Sequence, residues 1–251
     1  MDDAGWPDDA GRDRLIGDWH IYQRTDGHRT STDDLITAWY AVHRHPHRPA
    51  RYLDLGCGVG SVLLMVSHRL RPKTALGVEA QAQSVAMARR AIAELPEHGN
   101  HIDVRHADFR DVDFEGEQYD LVTASPPYFP IGTGVLPEDP QRRACRFETR
   151  GGVEGYLETA ARAMGDQSQL YIVFQTLWSD RVMASAVHHG LHLSGQADFS
   201  MRANNLAPFL SVFEFSRRPV DAPHRFRCAV RDAGGNISPE YQRARLELGV
   251  A

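Results

Sequence analysis

Tyr119-Asp120-Leu121-Val122-Thr123-Ala124-Ser125-Pro126-Pro127-Tyr128-Phe129 is the stretch from which the rest of the chain is read. Its first six residues have the apolar, β-rich character of a buried strand. Two prolines end that strand at once, because neither has an N–H for a sheet ladder and each fixes its own φ. A stiff loop therefore sits at the carboxyl end of a strand, the edge at which open α/β sheets keep their ligands. At the prolines the main chain offers carbonyl oxygens and no donors. A hydroxyl, Ser125, stands before them and a tyrosine ring, Tyr128, after them. Oxygens that receive amino hydrogens beside a ring that can stack suit a flat, amino-bearing acceptor. Taken alone, the same residues also describe a plain strand followed by a proline-rich turn, and the upstream sequence decides between the two.

Upstream, Asp54-Leu55-Gly56-Cys57-Gly58-Val59-Gly60 falls where the strand Tyr52-Leu53-Asp54-Leu55 turns into a helix over 62–70. Glycines 56, 58 and 60 let the backbone pass tightly under a nucleotide-like ligand, with the helix start supplying free N–H groups. The dinucleotide-binding fingerprint wants its third glycine or alanine one position later, where Ser61 stands. Glu79 ends the next strand, 25 residues after Asp54, where an acid can accept both hydrogens of a ribose diol. Asp108 follows a third strand and is placed to receive an adenine amino group, with Phe109 packing on the ring. Singly, each acid reads as a solvated loop carboxylate. Three of them at successive strand ends, around one glycine turn and one Ser-Pro-Pro-Tyr loop, point to a nucleotide site.

The remaining periodicity predicts an α/β fold. Strands are expected at 52–55, 74–79, 101–105, 119–124 and 170–174, with helices at 62–70, 82–95, 153–164 and 179–189. Two last strands, 192–199 and 208–215, have no helix between them, which implies an antiparallel closing pair. The expected architecture is a seven-stranded, mostly parallel sheet with helices on both faces. Residues 1–14 read as a disordered acidic lead-in. Residues 15–47 form a segment that caps the site, with a strand at 19–23 and a helix starting at Ser31 or Thr32 whose first turn carries Asp33 and Asp34. The core spans 48–218 and an extension 219–251.

Length fits one sizeable domain with extensions or at most two small ones, and composition is that of an ordinary soluble globular protein: 251 residues, 42% hydrophobic and 24% charged. No apolar run reaches membrane-span length, and the acidic start resembles neither a secretory signal nor a transit peptide. Three scattered cysteines, Cys57, Cys145 and Cys228, read as reduced thiols, which together with the missing leader predicts a cytoplasmic protein. His43, His45 and His47 alternate, but without a cysteine or carboxylate partner they read as a loop, and no metal is expected. A net charge of −5 argues against nonspecific coating of nucleic acid. It leaves room for local basic patches, at Arg142, Arg143, Arg146 and Arg150, and at Arg217, Arg218, Arg225, Arg227 and Arg231.

Asp54 to Gly60, Glu79, Asp108 and Ser125 to Phe129 together resemble the motifs of class I S-adenosylmethionine-dependent methyltransferases that modify amino nitrogens, which have a Rossmann-like fold. The family loop is Asn, Asp or Ser, then Pro-Pro, then an aromatic residue. Three flanking segments are similar to the bacterial enzymes that methylate adenine N6 beside the anticodon of a valine tRNA. They are Asp26-Gly27-His28-Arg29-Thr30-Ser31-Thr32-Asp33, Arg143-Ala144-Cys145-Arg146-Phe147-Glu148 and Asp232 to Tyr241. That subgroup usually has Asn where Ser125 stands.

The resemblance implies S-adenosyl-L-methionine as cofactor, held by Asp54, Gly56, Gly58, Gly60, Glu79, Asp108, Phe109 and Thr32. It implies chemistry at Ser125, Pro126, Pro127 and Tyr128, and RNA, in particular tRNA, as partner, met by Phe129, Arg143 and Arg146. The other readings are methylation of a protein glutamine or of a small molecule, and a catalytically silent nucleotide-binding partner.

Overall fold

The computed structural model describes residues 5–45, 47–96, 99 and 101–250, the side chain of Leu206 excepted. A hairpin of β1 (Ala10–Ile16) and β2 (Trp19–Arg24) precedes α1 (Thr32–Arg44). The central alternation is β3 (Arg51–Leu55), α2 (Ser61–Leu70), β4 (Thr74–Glu79), α3 (Ala82–Ala93), β5 (Ile102–His106) and β6 (Tyr119–Ala124). Beyond the Pro-Pro-Tyr loop come α4 (Pro140–Arg146), α5 (Val153–Ala163), β7 (Met164–Gln175) and α6 (Ser179–His188). Then follow β8 (His192–Arg202), β9 (Asn205–Ser216), β10 (His224–Arg231) and α7 (Pro239–Leu248).

The main sheet has eight strands in the order β10-β8-β9-β7-β6-β3-β4-β5. All its pairings are parallel except those of β9, which is antiparallel to both β7 and β8. The closing pair is therefore an antiparallel hairpin, with β9 inserted inside the sheet rather than at its margin. Successive residues of β3 enter opposite cores, as a strand covered on both faces requires. Tyr52 lies in the core that also holds Trp39 and Tyr40 of α1, residues of α2, and Tyr241 and Leu248 of α7. Leu53 and Leu55 lie in the core that also holds Val153 and Leu157 of α5 and Val182 of α6. Strand order reverses about β3: β4 and β5 lie to one side and β6 to the other. The first turn and the Pro-Pro-Tyr loop consequently leave the sheet side by side.

Two expectations are corrected. The acidic lead-in ends sooner than residue 14: Ala10 to Ile16 pair with β2 from Ala10↔Arg24 to Ile16↔Trp19, and residues 1–4 lie outside the described residues. Charged side chains mask this strand in the sequence, because Arg12, Asp13 and Arg14 are satisfied by Glu94, Gln23 and the Gly17 carbonyl, leaving only Leu15 and Ile16 to enter the core. The sheet has an eighth strand because β10, within the expected extension, joins β8 through a parallel register from His224↔Gly195 to Arg231↔Arg202. The segment between Phe129 and Val153 also holds a helix, α4, capped by the Asp139 carboxylate on Arg142 N with Pro140 at its first turn. Among the described residues no helix is long and apolar enough to cross a membrane.

Candidate active site

The register Leu55↔Ala124 sets the glycine turn beside the Pro-Pro-Tyr loop. One residue earlier, Asp54 and Thr123 are paired, and the Thr123 hydroxyl donates to Asp54 Oδ1 at 2.6 Å. Burial, and further off the charge of Glu79, push the Asp54 carboxyl up to about 7. Asp54 is thus a buried post under the turn and does not line the cavity above it. Gly60 caps α2 with φ of 90°, in the left-handed region that favours glycine. A Cβ on Gly56 would sit 2.8 Å from the Tyr156 hydroxyl.

Glu79 is the fixed acid of the site. Its Oε2 accepts from Gly58 N at 3.0 Å and its Oε1 from Gln81 N at 2.7 Å. Burial raises its pKa while those backbone donors favour the charged form. Asp108 is engaged differently: it accepts from Arg110 Nε at 2.9 Å and Arg110 N at 3.1 Å, and the guanidinium lowers its pKa. Its carboxylate faces the cavity already paired with a cation. Phe109 packs against Tyr156 with ring centroids 4.3 Å apart.

In the reactive loop, Pro126 and Pro127 are buried, and Ser125 Oγ is buried with no hydrogen-bond partner. The Tyr128 hydroxyl donates to Asp33 Oδ2 at 2.8 Å, and its ring meets the edge of Phe174 at 5.7 Å. Burial and the Asp33 charge raise the Tyr128 pKa well above its ordinary value. Phe129 then bridges to the end of α4, its N–H donating to the Arg146 carbonyl at 3.0 Å and its carbonyl accepting from Glu148 N at 2.9 Å. The Arg146 guanidinium lies 5.7 Å from the Phe129 ring centroid.

The segment before α1 and the α4 helix form the wall opposite. Gln141 is buried; its Oε1 accepts from His28 N at 3.2 Å and its Nε2 donates to Ser84 Oγ at 3.3 Å. Arg24 spans Asp9 at 2.8 Å and Asp139 at 2.6 Å, tying the hairpin to the α4 cap. The Asp34 carboxylate accepts from Ser31 N at 3.0 Å, and desolvation, then Asp33 beside it, push its pKa up to about 8. These parts enclose a cavity of about 900 Å³.

Of the residues expected there, Thr32, Gly56, Gly58, Glu79, Asp108, Phe109, Ser125, Pro126, Pro127, Tyr128, Phe129 and Arg146 line it. Asp54 and Gly60 support it from below, and Arg143 is not part of the lining. Sequence reasoning missed Gln141 and Tyr156, and it read Asp33 and Asp34 only as helix-dipole partners. The Asp-Pro pair at 139–140 was the available signal for α4. Nothing local marks Asp33 as the partner of Tyr128.

The family model described as a methyltransferase domain matches residues 53–134, from β3 through the reactive loop. The chain is 28% identical to the tRNA1(Val) (adenine(37)-N6)-methyltransferase of Tolumonas auensis, over 89% of this chain and 90% of that protein. It is 26% identical to the protein of the same name from Aeromonas salmonicida, over 89% and 91%. The matched domain and these relatives make the chain similar to class I S-adenosylmethionine-dependent methyltransferases. Solved structures agree on the fold of this methyltransferase. A predicted O-methyltransferase from Agrobacterium tumefaciens superposes with a TM-score of 0.60 at 17% identity, covering 88% of this chain and 98% of that one. The ribosomal protein L11 methylase of Lactobacillus delbrueckii subsp. bulgaricus does so with 0.53 at 15% identity, covering 76% and 81%.

S-adenosylmethionine is the cofactor, and the cavity residues fit it. Glu79 offers a carboxylate already aimed by two backbone donors, the shape of acceptor a ribose diol needs. Thr30 Oγ1 and Ser125 Oγ are buried polar atoms without protein partners on the same cavity, and such atoms carry a desolvation cost until a ligand satisfies them.

Proposed function

We propose that this methyltransferase methylates adenine N6 in tRNA, at the anticodon-adjacent position 37 named for its relatives, and that it works in the cytoplasm. The observation that carries the reading is Ser125 Oγ, buried and unpartnered at the end of β6, next to two prolines and a tethered Tyr128. Bound S-adenosylmethionine supplies an electrophilic methyl group on a sulfonium sulfur. Glu79, Thr32 and the backbone of Gly56 and Gly58 hold that cofactor, with Asp108 and Phe109 at its adenine end; Asp54 and Gly60 keep the turn in shape beneath it.

The acceptor nitrogen is a poor nucleophile because its lone pair is delocalised into the base. Ser125 Oγ and the Pro126 carbonyl take its two hydrogens and favour a pyramidal nitrogen with its lone pair free. Tyr128 presents a ring face for the base, and its bond to Asp33 fixes the angle at which it does so. The methylated nitrogen is cationic and loses a proton readily, so the chain need supply no strong base there. Positioning and fixed dipoles then account for most of the rate. A base inside a helical stack cannot reach this loop, so the target is single-stranded or flipped out.

Ser125 is the test. Ser125→Ala lowers turnover on a tRNA transcript without changing cofactor affinity, because the acceptor matters most as the nitrogen changes hybridisation. Ser125→Asn keeps or raises turnover. Equal rates for Ser125→Ala and wild type would remove the hydroxyl from the mechanism.

A further inference from the structure

Beyond the cavity, the sheet has a second exposed face whose chemistry the transfer reaction does not use. On the α5–α6 side the helices cover the sheet only as far as β8. Gln196 and Asp198 are half-buried there, and on β10 the residues of the same face, Arg225, Arg227 and Arg231, are exposed. The opposite residues, Phe226, Cys228 and Val230, pack into the α1–α7 core, which fixes the direction of the arginines by strand alternation. The parallel register sets Arg231 beside Arg202 and Arg227 beside Asp198.

Next to this row lies the 3-10 turn Thr176–Trp178 after β7. The Thr176 hydroxyl bonds Ser211 Oγ at 2.8 Å, and Ser211 Oγ donates to Asp198 Oδ1 at 2.7 Å, so the turn is pinned to the same face. Leu177 is 81% exposed and Trp178 37%. The face runs into the cavity, whose lining includes Gln175, one residue before the turn, and Met201, one residue before Arg202.

We propose that this face holds the RNA strand that leads into the cavity, with phosphates on Arg202, Arg227 and Arg231 and an unstacked base on Trp178. The proposal rests on the RNA reading above. An aromatic ring set among guanidinium groups is the combination that single-stranded nucleic acid recognises, through stacking and through neutralised phosphates. The charge is local: four arginines stand here on a chain of net charge −5. Of the nearby acids, Asp198 is occupied by Ser211 and Gln196 and Asp232 by Asn236 in its own turn, whereas Asp180, two residues past Trp178, is exposed. Arg227 remains 87% exposed despite lying 3.8 Å from Asp198. The surface would make the enzyme select a strand by its backbone and one flanking base, while the Pro-Pro-Tyr loop selects the reacting base.

The test compares wild type with a Trp178→Ala, Arg202→Glu, Arg227→Glu variant on an unmodified valine-tRNA transcript. The variant is expected to bind the transcript at least tenfold more weakly. Its log–log salt dependence should be shallower by about 0.7–0.9 for each phosphate that is no longer neutralised. Its affinity for S-adenosylmethionine and its melting temperature stay at wild-type values. Independently of any substitution, ultraviolet crosslinking of wild type to a 4-thiouridine transcript should mark peptides containing 176–178 or 201–202. Transcript affinity within twofold of wild type with a parallel salt slope, or crosslinks confined to 142–150, would overturn the proposal. Wild type that neither binds the transcript in a salt-dependent way nor methylates it would overturn the RNA reading itself, and this surface with it.

Discussion

The two halves of the cavity are built in different ways. On the side proposed to hold the cofactor, Glu79 is held by Gly58 N and Gln81 N, 21 and 2 residues away in the chain, and Asp108 by Arg110, 2 residues away. On the side proposed to hold the acceptor the ties are long: Tyr128 to Asp33 across 95 residues, His28 to Gln141 across 113, and Gln141 to Ser84 across 57. The first half comes into being as soon as its strands align. The second is assembled from the pre-α1 segment, the reactive loop and α4, and is complete only when all three are docked. Damage to the first should therefore appear in cofactor binding, and damage to the second in acceptor handling with the cofactor still bound.

The largest effect expected on this division is at Glu79. Glu79→Ala removes charge-assisted hydrogen bonds of about 1.5–3 kcal/mol, so S-adenosylmethionine affinity should fall about tenfold to a hundredfold. Titration calorimetry on the folded variant checks it, and unchanged affinity would erase the distinction from the cofactor side. Next comes Tyr128. Tyr128→Ala should cost about 1–3 kcal/mol of base stacking in acceptor binding, whereas Tyr128→Phe, which keeps the ring and loses the bond to Asp33, should leave the acceptor KM nearly unchanged and lower kcat. Both should keep cofactor affinity within about twofold; a large loss there would show that the halves are one unit.

A smaller effect is set by pH. The Asp34 carboxyl stands at about 8 and Asp54 at about 7, both above their ordinary value. A carboxyl whose pKa is raised by folding binds more protons folded than unfolded between the two values. The stability it contributes is complete below the unfolded value and is lost as pH rises through the folded one. The cofactor-free protein should thus lose melting temperature between pH 6 and 8.5, at about 2–4 °C per kcal/mol for a chain of this size. Asp34→Asn should lose less over the same range if the variant folds as wild type does. Parallel melting curves would mean that Asp34 is solvated and that the wall around it is open.

The same division explains what could be read without the structure. Glycine turn, Glu79 and the Ser-Pro-Pro-Tyr loop each announce themselves within a few residues, because the backbone needs of a strand end restrict the residue types that fit. The sheet was legible for a related reason: strands buried on both faces, such as Tyr52 to Leu55, are apolar along most of their length. β1 was not, since its polar side chains find partners on β2 and just beyond α3 that no local pattern announces. β10 carried a visible alternation, Arg225-Phe226-Arg227-Cys228, but its place as a parallel edge strand depends on β8, about 30 residues earlier. Gln141 illustrates the limit best: a buried amide on a seven-residue helix holds two distant segments together, and in the sequence it is one polar residue in a polar run.

On the proposed mechanism, an exocyclic amino nitrogen of adenine receives the methyl group. Its most direct test is transfer of a trideuteromethyl group from labelled S-adenosylmethionine to an unmodified valine-tRNA transcript, followed by digestion and mass spectrometry of the nucleosides. The label should appear in N6-methyladenosine from position 37, and be absent when Ser125 and Tyr128 are both replaced by alanine. Label on a ribose hydroxyl, on a base carbon or on a protein glutamine, with none on adenine N6, would contradict it.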